Sequence, residues 1–527
     1  MKQKLKILLV LTILGIFVVG CGGKEATKTS PSQEKTTEKI IKIAIDKDAT
    51  SLNPIVITDL TGEMFAANIF DSLVSYKDDV SKPAPGIAEK WEISDDGKEY
   101  TFYLKKGIKF HNGTELTAKD VKYTYEQILN PENASPGKQY LNELDSIEIV
   151  DNYTIKFKLK NVYASFMLLV GSPQFGIVPA DYVKEVGMDA FDRAPIGTGP
   201  FKFSEWVPDD HITLVKNKDY FKGEPNIDKA IFRPIPKAEV AAVELKSGGV
   251  DLASGLLPQD IAKFVSDDNY IIKQTPGLSY QYVGFSAVKS PYSDVRFRKA
   301  VYYATDFENA IKGIYGITGE RAYSWIPPVV FANDKEYMKS KALPYNEEKA
   351  KELFDELKAE GILKDGMEIE ILSPQDAFRS KIATAIASSL IKFGFKPKVQ
   401  TLEFGTLLPA TEKGKAGIYL LGWGSVPDPD RWTYALFHTN GGKQNRSAYS
   451  NEIVDKALDA GRSTANQYER EKHYVKAMRQ ALTVDYIHIP LIFKNITVVH
   501  NKKIKNFEAS PQGYIYLYTP KHNVDIE

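Results

Sequence analysis

One cysteine in 527 residues, Cys21, leaves this chain without a disulfide. Whatever it folds into is held by buried apolar surface and hydrogen bonds alone. With 43% of its residues hydrophobic, it has the material for a sizeable core, and its length allows roughly three domains.

Cys21 also has a telling position. Lys2, Lys4 and Lys6 precede an almost wholly apolar run from Leu5 to Val19, which ends in Val18-Val19-Gly20 just before the cysteine. A charged start, a short apolar stretch and a small-residue end make a secretory signal, and the run is shorter than the roughly 20 residues of a membrane-spanning helix. The placement resembles a bacterial lipobox, with residues 1–20 removed and Cys21 lipidated as the new N-terminus. The plainer reading is an ordinary signal that ends near a cysteine. Residues 22–39, GGKEATKTSPSQEKTTEK, carry no large apolar side chain, so 21–39 reads as a lipidated start and a flexible stalk. Without the three signal lysines, 65 basic residues face 68 acidic ones. That balance gives no concentrated basic face and no nucleic-acid partner.

The body reads as mixed α/β. IIKIAI (40–45) is a strand, and the runs within 91–104 flank Asp96-Gly97, a hairpin turn. Thr117 with Asp120 caps a helix whose Val121, Tyr125, Ile128 and Leu129 share a face. YTIKFKL (153–159), FKFSEW (201–206) and HITLVK (211–216) are further strands. In the second half Asn346 caps a helix on Ala350, Leu353, Phe354 and Leu357 that stops at Gly361. MEIEIL (367–372), a helix carrying Ile382, Ile386 and Leu390, and KPKVQTL (396–402) form a β-α-β unit, which calls for a parallel sheet. Ser450 reads as the cap of the helix carrying Ile453, Val454, Ala457 and Leu458, and residues 489–507 as strand.

Catalytic patterns are missing. No two of the seven histidines stand at metal-site spacing, no G-x-S-x-G occurs, and Gly197-Thr198-Gly199-Pro200 lacks the lysine of a phosphate loop. It reads as a tight structural loop, and the chain as a non-enzyme without a cofactor.

Seven segments occur together in one order: Asn53-Pro54 after Leu52, GIAEKWEISDDGKEYTFYLKKGIKFHNGTELTAKDVKYTYEQIL (86–129), GTGPF (197–201), QYVGFSA with SPYSDVRFRKAVYYATD (281–306), YNEEKAKELFDELKAEGI (345–362), LGWGSVPDPD (421–430) and NRSAYSNEIVDKAL (445–458). In them the chain resembles the bacterial extracellular solute-binding proteins of the oligopeptide/dipeptide class. That resemblance implies a two-lobed Venus flytrap like the periplasmic binding proteins, with an extra subdomain at roughly 60–190. Lobe I would span 40–282 plus 495–527 and lobe II 283–494, with hinges near 280–286 and 492–498. It further implies a monomer that closes on a peptide and delivers it to an ABC permease served by separate ATPase subunits.

The resemblance also marks the site: Gly422, Trp423, Gly424 and Ser425, with Asp428 and Asp430 beyond. The first Asp of the class pattern is absent, so Asp428 and Asp430 read either as contacts for a peptide amine or as turn formers. Trp423 reads as a cleft aromatic or a core one. Asn53, Tyr282 and Phe285 fall on the cleft floor or in simple packing, and Arg321 faces a carboxylate or the protein itself. An oligosaccharide or metal-chelate cargo, or a secreted peptide-presenting chaperone or signalling receptor, are the rival functions.

Overall fold

The computed structural model describes residues 38–424 and 427–527. Residues 1–37, which include Cys21 and on which the signal and most of the stalk were read, and Ser425 lie outside the described residues. Lys39–Glu527 forms one compact unit, a two-lobed α/β fold.

An 11-stranded sheet runs through both lobes. Ile40–Ile45 lies parallel to Lys229–Pro234 on one side and to Leu252–Ser254 on the other. The hairpin Phe201–Val207/His211–Lys216 closes that flank. Two long antiparallel strands, Tyr270–Phe285 and His488–Asn501, carry the sheet onward. Beyond them, Ile418–Gly424 is followed by Glu368–Pro374 and Lys396–Leu402. The last three are mutually parallel, as the β-α-β pattern requires, with the helix Ala377–Ile391 as crossover.

Burial divides along these two long strands. One core joins Ile41 through Phe232 to Val498–Val524 of the tail. Two others lie wholly within residues 278–493. The long strands pair regularly from Tyr270↔Asn501 to Pro276↔Asn495, lose register, resume at Tyr280↔Phe493 and shift again between Gln281 and Tyr282. Gly277 sits in the first break, where an added Cβ would lie 2.5 Å from the Lys494 carbonyl oxygen. This break begins at Pro276, a few residues before the hinge read at 280–286.

Within the first lobe, Ala88–Ile93, Glu99–Leu104, Thr154–Leu159 and Leu144–Asp151 make a separate four-stranded sheet. Gly97, at φ 69°, turns its first hairpin. The helix Ala118–Leu129 packs on it, closed by a capping box between Thr117 and Asp120. The Gly197-Thr198-Gly199 loop is a close-packing device: a Cβ at Gly197 would lie 2.0 Å from the Ile69 carbonyl oxygen. His111 joins it, its Nδ1 accepting from the Gly197 N–H at 3.2 Å, with Nε2 3.0 Å from the Gly199 carbonyl. One cap shifts by a residue: the helix Glu452–Arg462 is capped by Asn451, whose Oδ1 accepts from the N–H groups of Ile453 and Val454. Ser450 instead accepts from or donates to the Thr439 hydroxyl at 2.9 Å.

Candidate functional site

Three parallel strands end together in the second lobe, at Pro374, Leu402 and Gly424, and each is followed by a helix. In open α/β sheets the crevice beyond the carboxyl ends of such strands is where ligands bind. The Ile418–Gly424 strand has a further property. On one side it pairs with Tyr270–Phe285 along its whole length, from Phe285↔Ile418 to Ser279↔Gly424. On the other it meets Glu368–Pro374 only at Ile371↔Ile418 and Leu372↔Tyr419. Among the described residues, Leu420 to Gly424 therefore present an unpaired strand edge. Glycines at 422 and 424 keep side chains out of its way; a Cβ at Gly424 would meet nothing within 4 Å.

Trp423 stands on the face of this strand shared with Tyr419 and Leu421 and packs, half-buried, against the core that contains Trp325 and Trp432. Its Nε1, the Trp325 Nε1 and the Tyr280 hydroxyl are buried and have no hydrogen-bond partner among the described residues. Tyr282 is core: it stacks on Tyr280 with ring centroids 5.1 Å apart and on His488 at 4.1 Å. Phe285 is fully buried. Asn53 lies in the other lobe and shapes a turn, its Oδ1 accepting from the Ile55 N–H at 3.1 Å.

The acidic pair has committed partners. Asp428 caps the helix Pro429–Phe437 by accepting from the Asp430 N–H at 2.9 Å, and Arg470 grips its carboxylate with two hydrogen bonds of 2.7 and 3.0 Å. Both side chains are almost wholly buried. Arg462 holds Asp430 at 2.9 Å, with the Tyr474 hydroxyl donating at 3.3 Å. The carboxylate oxygens of both residues face guanidinium groups within the fold. Arg321 likewise faces the protein. It donates to the carbonyls of Ala322, Pro490 and Leu491 and to the Tyr302 hydroxyl, with Glu308 3.3 Å from its Nε.

The lobes touch near the same helix. The Arg431 guanidinium lies 4.1 Å from the Tyr140 ring centroid of the first lobe. Burial pushes the Tyr163 phenol up to about 12, with Arg431 beside it pulling the other way. Burial and then the Asp428 charge push Tyr76 upward as well. Sequence reading missed Arg431, Arg462, Arg470 and Arg379, the last in the first turn of the helix after Pro374. Their only sequence signal was position. Arg379 follows a strand end of a β-α-β unit, and Arg431 directly follows the Asp-Pro-Asp loop.

The chain matches the family described as bacterial extracellular solute-binding proteins, family 5, over residues 82–444. It is 27% identical to heme-binding protein A of Haemophilus influenzae, covering 98% of this chain and 99% of that protein. It is 30% identical to di/tripeptide-binding protein 1 of Pseudomonas aeruginosa, over 86% of this chain and 88% of that protein. Among solved structures it resembles the ABC transporter-associated periplasmic binding protein DppA of Helicobacter pylori in complex with the peptide STSA. That TM-score is 0.72 at 28% identity, covering 93% of this chain and 98% of that one.

Proposed function

The chain belongs to family 5 of the bacterial extracellular solute-binding proteins, and from that premise we propose that it is the peptide receptor of an ABC importer. The observation that carries the reading is the unpaired edge from Leu420 to Gly424 at the carboxyl ends of the parallel strands. An extended peptide adds to such an edge through main-chain hydrogen bonds, which give affinity without regard to sequence. The half-buried Trp423, whose Nε1 has no hydrogen-bond partner among the described residues, supplies a further polar contact on this edge, directly or through water.

Closure would turn about the two register breaks in the long strands, and ligand shifts the balance by its greater affinity for the closed arrangement. Gly422, Trp423 and Gly424 line the edge in this reading, with Ser425 continuing it. Export and lipidation at Cys21 would hold a monomer at the outer face of the cell membrane, delivering peptide to permease subunits with separate ATPases. The names of a di/tripeptide-binding relative and of a peptide-bound structural neighbour support the cargo. The name of a heme-binding relative keeps a metal chelate as the second cargo.

Native mass spectrometry of residues 22–527, purified without refolding and followed by release and fragmentation of bound ligand, tests this. A family of co-purified peptides is the expected result. A single iron-porphyrin or other metal complex would transfer the cargo to the second reading and leave the importer role standing.

A further inference from the structure

The second lobe carries a surface groove that the Leu420–Gly424 edge does not use. It is open, about 570 Å³ in volume, and is lined from the helices Glu452–Arg462, Gln467–Arg479 and Lys335–Lys341. Lys472, Val475, Lys476 and Arg479 follow one another along a single stripe of the middle helix. Its three cations span about 10 Å at 1.5 Å per residue. Among the described residues no acidic side chain lines the groove. Lys472 and Arg479 each hold one carboxylate from beyond the lining, Glu469 at 2.8 Å and Asp334 at 2.7 Å. Lys476 is exposed and has no ion-pair partner among the described residues.

The rest of the groove is apolar without serving the core. Ile453 is 47% and Val484 55% exposed. Their helices bury other side chains, Val454 and Tyr474 among them. Val484 ends a wide turn, Gln480–Val484, beyond which the Asp485 N–H reaches back five residues to the Gln480 carbonyl at 3.0 Å. Turns of this kind are rare and gather at functional sites. This one is firmly held. The Asp485 carboxylate accepts from Asn451 Nδ2 at 2.9 Å, from Gln480 Nε2 at 3.2 Å and from the Tyr449 hydroxyl, and its carbonyl accepts from Arg298 Nε at 2.8 Å. The groove is thus preformed, and filling it costs little ordering of the protein. Three residues on, at His488, the chain enters one of the two long strands that join the lobes.

We propose that this groove docks an acidic amphipathic helix of a partner protein. The apolar side of that helix lies on Ile453, Val475 and Val484, and its carboxylates face Lys472, Lys476 and Arg479. Charge complementarity selects the acid. The apolar floor selects a helix over a simple polyanion, which has no side chain to bury there. Cations at i, i+4 and i+7 match carboxylates at the same spacing on a facing helix. The inference goes beyond the receptor reading and does not rest on it, because no residue of the groove belongs to the Leu420–Gly424 edge.

Fluorescence anisotropy on the native protein tests it with two labelled helical peptides that share one leucine stripe. One carries glutamate at i, i+4 and i+7 beside the stripe, the other lysine. The acidic peptide is expected to bind at least about tenfold more tightly at low salt. Lys476→Glu should remove most of that preference, and Val484→Asp should weaken the acidic peptide about tenfold. Both side chains are exposed, so both variants should fold. Equal binding of the two peptides, or binding of neither, would overturn the proposal. A preference that survives in both variants would move the acidic helix off this groove and overturn the assignment. Polyphosphate is the third probe. If it displaces the acidic peptide at equal charge concentration, the groove is a polyanion site and the helical partner is wrong. The cargo found by mass spectrometry bears on none of these outcomes, so the two readings fail separately.

Discussion

Arg470 holds Asp428 in a two-pronged pair, Nη2 to Oδ1 at 2.7 Å and Nη1 to Oδ2 at 3.0 Å, with both side chains about 95% buried. The same carboxylate caps the helix that follows the candidate binding edge. Removing one member of a buried pair strands the other charge, which costs about 3–5 kcal/mol. Asp428→Ala should therefore lower the unfolding free energy, measured by urea titration, by that amount. The double variant Asp428→Ala/Arg470→Met should recover much of it, measured as a double-mutant cycle.

Arg431 crosses between lobes to the Tyr140 ring at 4.1 Å. A cation over an aromatic face contributes about 0.5–2 kcal/mol, and a contact that joins the lobes would favour closure in the receptor reading. Arg431→Ala should weaken ligand binding by roughly 2- to 30-fold, with small-angle scattering of the free protein showing a larger radius of gyration. Unchanged scattering together with unchanged affinity would remove Arg431 from closure.

Burial lowers His111 to about 4 and His488 to about 3. Both are neutral in the fold, whereas the unfolded chain takes up protons near pH 6.5. Their contribution to stability is complete above about 6.5 and is lost as pH falls toward 4 and below, on the order of 3 kcal/mol for His111. Denaturant titrations at pH 7.5, 6 and 5 should show falling stability. His488→Phe, which keeps an aromatic ring against Tyr282, should flatten part of the slope.

Gly424 has open space above it and lies on the same strand face as Gly422. Gly424→Leu should leave unfolding within about 0.5 kcal/mol of the native value and still reduce peptide affinity at least about tenfold. A calorimetric titration that returns native affinity would show that the ligand does not run along this edge.

Period and punctuation made the local elements legible. Asp96-Gly97 specified its hairpin, Thr117 with Asp120 its capping box, and the apolar spacing around Ile382 and Leu390 the crossover helix between parallel strands. Each rests on interactions within a few residues. The shift of one cap from Ser450 to Asn451 marks how near such competition runs, since either side chain suits the role. The order of seven motifs carried the family, because each motif is a local string that survives without coordinates.

The site was legible only as an address. The sequence pointed to residues 422–430, but which aspartate was free depended on Arg462 and Arg470, more than thirty residues further along the chain. Arg379 stood in a helix whose spacing announced only a core face. Strand order laid that helix start beside Gly422, and no local pattern encodes that adjacency. What the sequence by itself determined was the set of elements, the family and the neighbourhood of the site, all governed by short-range periodicity. Which charges are neutralised and which remain for a ligand was decided by tertiary structure, because electrostatic partnership depends on distance in space and burial.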